Sequence, residues 1–327
     1  MKKYDVVALG ELLIDFTDNG LSGQGNPVFE ANPGGAPCNV LAMLRKLGYD
    51  VAFIGKVGND GFGKQLADVL KETGINTEGL RWDEKVHTTL AVVHTLPGGD
   101  RDFSFYRDPG ADMMLTEEEL PLELVEDCRI FHFGTLSMTH ERVRKATLRA
   151  IDAAKKSGAL ISFDPNIRPP LWNSLEEAAK QIRTGLGLCD ILKIADNEIE
   201  FITGETDFDK AAAILQEEYP NIKILNVTAG ADGSYSYSCG HRVYVPGFRL
   251  GGTIETTGAG DTFCACVLGF ALENGVENLS EAQLREMLRY ANAAAYLVTT
   301  KKGAIRAMPE KAAVEAILEE NMIMEVE

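Results

Sequence analysis

A chain of 327 residues, 45% of them hydrophobic, has enough apolar material for a sizeable core and a length that one large α/β unit can fill. Its formal net charge of −17 speaks against nucleic acid or an anionic membrane as partner, because both require a basic surface; small anions remain open, since a few local groups suffice to bind them. The opening MKKYDVVALGELLIDF is interrupted by Asp5, Glu11 and Asp15 and fits neither a signal peptide nor a membrane span, and six scattered cysteines without a CxxC pair predict reduced thiols in a cytoplasmic protein.

Along the chain, the first strand is expected at 6–10 (VVALG), followed over 14–32 by two strand-like runs around a Gly/Asn-rich turn. Pro37 and Gly48 bracket a helix through CNVLAMLRKL. A strand at 51–55 (VAFIG) leads to a helix over 62–73 that Gly74 ends. TTLAVVHTL and RDFSFYR flank PGGD and predict a hairpin over 88–107. Both this hairpin and the 14–32 pair interrupt the main alternation and are expected to stand off the sheet as a lid. Strands follow at 129–133 (RIFHF), 160–164 (LISFD), 190–194 (DILKI) and 222–228 (IKILNVT), with a helix over 141–157 whose Val143, Ala146, Ala150, Ile151 and Ala154 share one face. A third hairpin is expected over 233–245, and 258–320 reads as mainly helical. Short runs of Val, Ile, Leu and Phe suit strands buried on both faces, and their alternation with helices predicts a mostly parallel sheet covered on both sides.

Four segments carry candidate chemistry, and one imitates it. Gly58-Asn-Asp-Gly-Phe-Gly63-Lys64-Gln65 nearly matches a phosphate-binding loop, but Gln65 stands where a Mg²⁺-holding hydroxyl is required, so a plain strand-to-helix turn is expected. Gly10 stands alone where a dinucleotide fingerprint needs three glycines, which excludes a Rossmann-type dehydrogenase. Thr256-Thr257-Gly258-Ala259-Gly260-Asp261-Thr262 opens an apolar helix; bare backbone at a helix start makes an anion site, and Asp261 is either a base there or simply an N-terminal acid. Asn32-Pro-Gly-Gly-Ala-Pro-Cys-Asn39 offers backbone and an amide to a polyhydroxyl ligand, or is a tight turn with a cap. In Asp196-Asn-Glu-Ile-Glu200, Asn197 and Glu200 are three apart on a helical face and could order Mg²⁺ waters, or form an acidic first turn. Asp164-Pro-Asn-Ile-Arg168 lies at a strand's carboxyl end, where ligands of parallel sheets gather.

Taken together, from GELLIDF to KKGAIRAMP, these segments resemble the ribokinase-like, or PfkB, carbohydrate kinase family. GGAPCN near the start and TTGAGD near the end carry the resemblance, and FIGKVGNDGFG, RDFSFYRDPGADM, FDPNIRPPLW and DNEIEFITG are similar to its fructokinase subgroup. The resemblance implies a single domain over 1–327, an α/β three-layer sandwich with a mostly parallel sheet and a small β lid, phosphorylating fructose to fructose 6-phosphate with ATP and Mg²⁺. It makes Asp261 the base, with Gly258, Ala259 and Gly260 holding the moving phosphoryl group and Arg168 beside it. Asp15, Gly34, Gly35 and Asn39 would bind the sugar, with Phe103, Phe105 and Arg107 closing over it. Asn197 and Glu200 would organise Mg²⁺ and phosphates; Thr228, Gly230 and Gly233 of VTAGADG would line the triphosphate, with Asn292 near adenine. A K⁺ site would fall on Glu255, Thr257, Val298, Gly303 and Ala307, although the family usually has Asp at the position of Glu255 and some members have a hydroxyl at that of Ala307. A homodimer through the lid is one open expectation for a partner; the sequence alone does not fix the oligomeric state. Two alternatives stay open within the resemblance: a 2-keto-3-deoxygluconate kinase, whose carboxylate Arg107 or Arg168 would meet, and a catalytically silent regulatory subunit. A phosphosugar substrate fits less well, because no Lys or Arg lies between Lys3 and Arg45 to hold a second phosphate.

Overall fold

The computed structural model describes residues 2–95 and 101–324, with side chains at all of these except 94–95, 101–103 and 321–324. The chain opens with β1 (Tyr4–Leu9), leaves the main body through β2 (Leu13–Leu21) and β3 (Pro27–Gly34), and returns in α1 (Ala36–Lys46), β4 (Val51–Gly58), α2 (Gly61–Thr73) and β5 (Asn76–Asp83). A second excursion forms β6 (Leu90–Thr95) and β7 (Arg101–Tyr106). The short α3 (Leu122–Glu126) then precedes β8 (Cys128–Gly134), α4 (Glu141–Lys156), β9 (Leu160–Asp164), α5 (Leu175–Leu186), β10 (Ile191–Ala195), α6 (Asp196–Thr203) and α7 (Phe208–Glu218). The chain ends in β11 (Ile224–Thr228), β12 (Ser234–Ser238), β13 (His241–Val245), α8 (Ala259–Asn274), α9 (Glu281–Val298) and α10 (Lys311–Met324).

Nine strands form the main sheet in the order β13-β12-β11-β10-β9-β8-β1-β4-β5, and β3-β2-β6-β7 form the lid sheet. Pairing is parallel from β11 through β5, while β12 and β13 join antiparallel at one edge. Successive residues of β1 feed opposite cores: Val6 and Ala8 pack with α1, α2, α8, α9 and α10, whereas Val7 and Leu9 pack with α3 to α7. A strand buried on both faces must be apolar throughout, which is why VVALG is legible as one. The α/β sandwich with a mostly parallel sheet and lid is therefore as expected; the hairpins expected over 14–32 and 233–245 are present, and β6 and β7 pair antiparallel within 88–107, with the expected PGGD turn outside the described residues.

β5, α3, α5 and α7 are additions to the sequence reading. β5 (NTEGLRWD) forms the free edge of the sheet, where one side is solvated and charge is tolerated, so it lacks the apolar run of its neighbours. The near-match to a phosphate loop is a closed turn. Asp60 caps α2 by accepting from Gly63 N–H at 2.8 Å, and its carboxylate also takes the N–H and hydroxyl of Thr88, each at 2.8 Å. The helix start is thus filled by its own carboxylate.

Candidate active site

β1 continues to β4 on one side, and the chain later returns to β8 on the other, so the strand order reverses between β1 and β8. Crevices at such reversals, beyond the carboxyl ends of parallel strands, are the natural ligand sites of open α/β sheets. A cleft of about 700 Å³ lies there, lined by Glu11 after β1, by Leu13 and Asp15 of β2, from the segment after β9 by Asn166 and Arg168, and by the starts of α1, α6 and α8.

Its floor is the start of α8. Gly258 stands before the helix with φ of 80°, a left-handed conformation that lets the chain turn sharply into it, and brings no side chain to cap the N–H groups. Thr262 closes the turn, its N–H donating to the Gly258 carbonyl at 2.8 Å. Of the three residues expected to form the anion hole, Gly258 and Gly260 line the cleft; Ala259 does not, and its N–H donates to Thr256 at 3.3 Å. Asp261, only 8% exposed, faces the cleft from the first turn.

Asn39 Nδ2 donates to Asp261 Oδ2 at 2.7 Å, joining α1 to α8, while the buried Asn39 Oδ1 has no partner among the described residues. Burial, then the carboxylate of Asp164, pushes the Asp261 carboxyl up to about 6, against the opposing pull of Asn39, Lys193 and Arg168. The group is ionised at neutral pH yet within reach of a proton, the condition a general base needs. On the other wall, Gly35 (φ 120°) turns the backbone ahead of α1 where any side chain would strike the Glu11 carbonyl. Glu11, a residue the sequence reading did not single out, accepts from Ala36 N–H at 2.8 Å and fixes that turn; burial pushes its carboxyl up to about 7. Gly34 lies beside the cleft, its bare Cα leaving room for the Asp15 carboxylate.

The remaining expected residues divide. Phe105, Asn197, Gly230 and Thr257 line the cleft with Arg168, and Phe103 lies on β7 with its side chain outside the described residues. Arg107 does not face the cleft: it is buried, with two N–H groups on Asp112 Oδ2 at 2.7 and 2.8 Å and others on Thr139 and the Leu136 carbonyl. It braces the wall through Leu136 instead of touching a ligand. Glu200 is exposed beyond the cleft lining, and it is Glu198 that turns inward, accepting from Ala195 and Ile167 N–H at 2.8 and 2.7 Å and tying α6 to the segment before Arg168. Thr228 ends β11 short of the lining, and Gly233 packs its backbone against Val245 and Gly247. Asn292 is consumed by the protein, accepting from Ser234 at 2.8 Å and donating to the carbonyls of Val245 and Pro246, so its place is in the frame behind the cleft. Glu255 Oε2 accepts from Gly303 N–H at 3.3 Å, and its backbone N–H donates to Thr299, so the loop before α8 and the segment after α9 do meet. Val298 is buried with its carbonyl taken by Lys301 N–H, and Ala307 is buried without a side-chain oxygen.

Residues 3–311 match the model of the pfkB family carbohydrate kinases. The chain is 42% identical to a probable fructokinase-4 of Arabidopsis thaliana over 318 residues, which cover 97% of each chain. Among solved structures, a fructokinase from Xylella fastidiosa with bound ATP superposes with a TM-score of 0.89 at 31% identity, covering 98% of this chain and 100% of that one. A Vibrio cholerae fructokinase double mutant with fructose, ADP and potassium ion bound superposes with a TM-score of 0.82 at 29% identity, covering 97% and 99%.

Proposed function

The chain belongs to the pfkB family of carbohydrate kinases and is a sugar kinase, and we propose that it transfers the γ-phosphoryl group of ATP to O6 of fructose, giving fructose 6-phosphate and ADP. The observation that carries this reading is Asp261: an ionisable carboxylate in the cleft, on the first turn of an uncapped helix and oriented by Asn39. A hydroxyl is a weak nucleophile at neutral pH, so Asp261 takes its proton as the new O–P bond forms, while the bond to the bridging oxygen breaks and its electrons leave with ADP. The backbone at Gly258 and Gly260, with the positive end of α8 behind it, faces the charge gathering on the phosphoryl oxygens. Asp15, Gly35 and Asn39 present acceptors, backbone and an amide to the sugar hydroxyls, and Phe105 covers the sugar from the lid, limiting water.

Asp196 and Asn197 at the start of α6 line the cleft and fit the water shell of a Mg²⁺ ion, which supplies charge neutralisation to the phosphates when bound. Glu200 would act only through a longer chain of waters. The Glu255 carboxylate, which meets the Gly303 N–H at 3.3 Å, would hold a potassium ion loosely beside Thr257 on the cleft lining. A second copy of the chain fits the lid, where Leu21, Phe29 and Tyr106 are exposed, and sedimentation analysis tests that pairing. No helix among the described residues is long and apolar enough to cross a membrane, and five buried thiols suit a reducing, cytoplasmic compartment.

The test is an ADP-release assay across fructose, ribose, 2-keto-3-deoxygluconate, adenosine and fructose phosphates, with phosphorus NMR of the product. Fructose should give the highest kcat/KM and the 6-phosphate. A higher kcat/KM for a sugar acid, a nucleoside or a phosphosugar would overturn the assignment.

A further inference from the structure

A lysine inside a strand buried on both faces is costly unless a partner holds its charge. β10 reads ILKIA, and the Lys193 side chain is only 7% exposed. The parallel register sets Leu192 against Phe163, so the next pair brings Lys193 alongside Asp164, the last residue of β9. Its ammonium lies 3.3 Å from Oδ1 and 3.2 Å from Oδ2, the former with hydrogen-bond geometry.

This pair is not sealed in the core. Lys193 also lines the cleft, and its Nζ ends 3.0 Å from where a Cβ on Gly260 would stand. Gly260 is bare because an ammonium group packs beneath it. A buried pair kept for stability alone is replaceable by apolar side chains of similar volume, often at no loss. One placed under the turn that faces the phosphoryl group does something apolar side chains cannot.

We propose that Lys193, held by Asp164, is a positioning residue for phosphoryl transfer: its fixed positive charge beneath the Gly258–Gly260 turn supports the anion hole and keeps Asp261 ionised. The proposal rests on the kinase reading of the same site. The groups facing this charge are Asp164 from β9, Glu198 from α6, His132 from β8, and Asp261 and Cys264 from α8, while Arg168 of the cleft wall faces Asp261. His132, driven down to about 3 by burial and then by Lys193, stays neutral, and burial raises the Cys264 thiol, so neither supplies charge near neutral pH. Against the like charge of Asp164, Lys193 and Arg168 are the cations that favour the ionised form of Asp261.

Three variants test this, each assayed for kcat, both KM values, the pH profile and thermal midpoint. Lys193→Met leaves Asp164 buried without its counter-ion. Its kcat should fall about 10- to 10³-fold with KM for ATP changed less than about threefold, and the acid limb of the profile should move to higher pH. Lys193→Met/Asp164→Asn removes both charges, so the fold and the acid limb should recover, yet kcat should stay at least about tenfold low because the anion hole has lost its cation. A double variant with wild-type stability and wild-type kcat would reduce the pair to packing and end the proposal; if the single variant is too unstable to assay, the double variant decides alone. Asp261→Ala separates the two levels. Should it turn over normally, the site reading fails; should it be inactive while Lys193→Met keeps the wild-type rate, only the role of Lys193 falls.

Discussion

Two glycine-rich turns in this molecule open helices, and they have opposite fates. The turn at 58–63 enters α2 under Asp60, whose carboxylate takes Gly63 N–H and two groups of Thr88. The turn at 256–261 enters α8 under Gly258, which has nothing to offer, and the acid falls three residues later. The electrostatics follow. Burial would raise the Asp60 carboxyl, but the N–H groups of Thr88 and Gly63 outweigh it and hold the group below its ordinary range. Asp261 has one amide partner and a like-charged neighbour, so burial wins and the group rises to about 6. An aspartate at the cap itself uses up a helix start, whereas one shifted into the first turn leaves it open to a ligand and becomes proton-sensitive.

The sharpest break between the two is activity. Asp261→Ala should lose roughly 10²- to 10⁴-fold in kcat while ATP still binds, which steady-state kinetics and calorimetry measure. Asp60→Ala should leave kcat within a few-fold; equal losses would erase the contrast. In the wild type, turnover should fall about tenfold per pH unit below about 6, as Asp261 takes up the proton it must be free to accept. A flat profile down to pH 5 would exclude it as the titrating base.

Stability should run the other way. The folded carboxyl of Asp261 binds its proton more tightly than the unfolded one, so ionisation opposes folding above about 6 and ceases to matter below the ordinary value of 3.8. Asp261→Asn should therefore gain up to roughly 3 kcal/mol at pH 7.5, with the gain fading towards pH 4 in urea titrations. Asp60→Ala should instead lose about 1–2 kcal/mol near neutrality. Because the folded Asp60 carboxyl is lowered, that loss should shrink as the pH falls through it. The smallest effect concerns the loop that sets up the open turn. Glu255→Asp should increase the rate response to potassium over a bulky organic cation, since the shorter acid releases Gly303 and restores the usual ligand. An equal or weaker response in the variant would show that Glu255 holds the ion as well as Asp does.

What could be read from the sequence was whatever a continuous apolar run or a glycine announces. The six buried strands, the glycines ending α2 and α4, and the residues of GGAPCN and TTGAGD all carry their reason locally. The misplacements share a cause: a side chain's direction is a tertiary fact. Arg107 follows a lid strand and reads as a ligand contact, but the backbone delivers it to Asp112. Asn197 and Glu200 share a helical face, yet α6 leaves the cleft too quickly to bring both to it, and Glu198, one residue away, is turned inward to tie two backbones together. Asn292 was a plausible ligand amide until its partners were seen. The Lys193–Asp164 pair did leave a signal: a lone lysine in a strand otherwise apolar needs an acid on the neighbouring strand, and only the parallel register says which.

Asn39 and Asp261 meet across 222 residues of chain. A ribosome that has exposed Asn39 has not yet made Asp261, so no incomplete product, stalled or proteolytically shortened ahead of residue 261, carries the acid proposed to activate the acceptor. The bond works as a completeness check. On that reading phosphate chemistry begins only after β1, deep in the sheet, has been enclosed by β4 and β8, both of which are made well before Asp261. Such wide separation makes folding slower than a local arrangement would, and in return a half-made chain cannot consume the nucleotide pool of the cell that is making it.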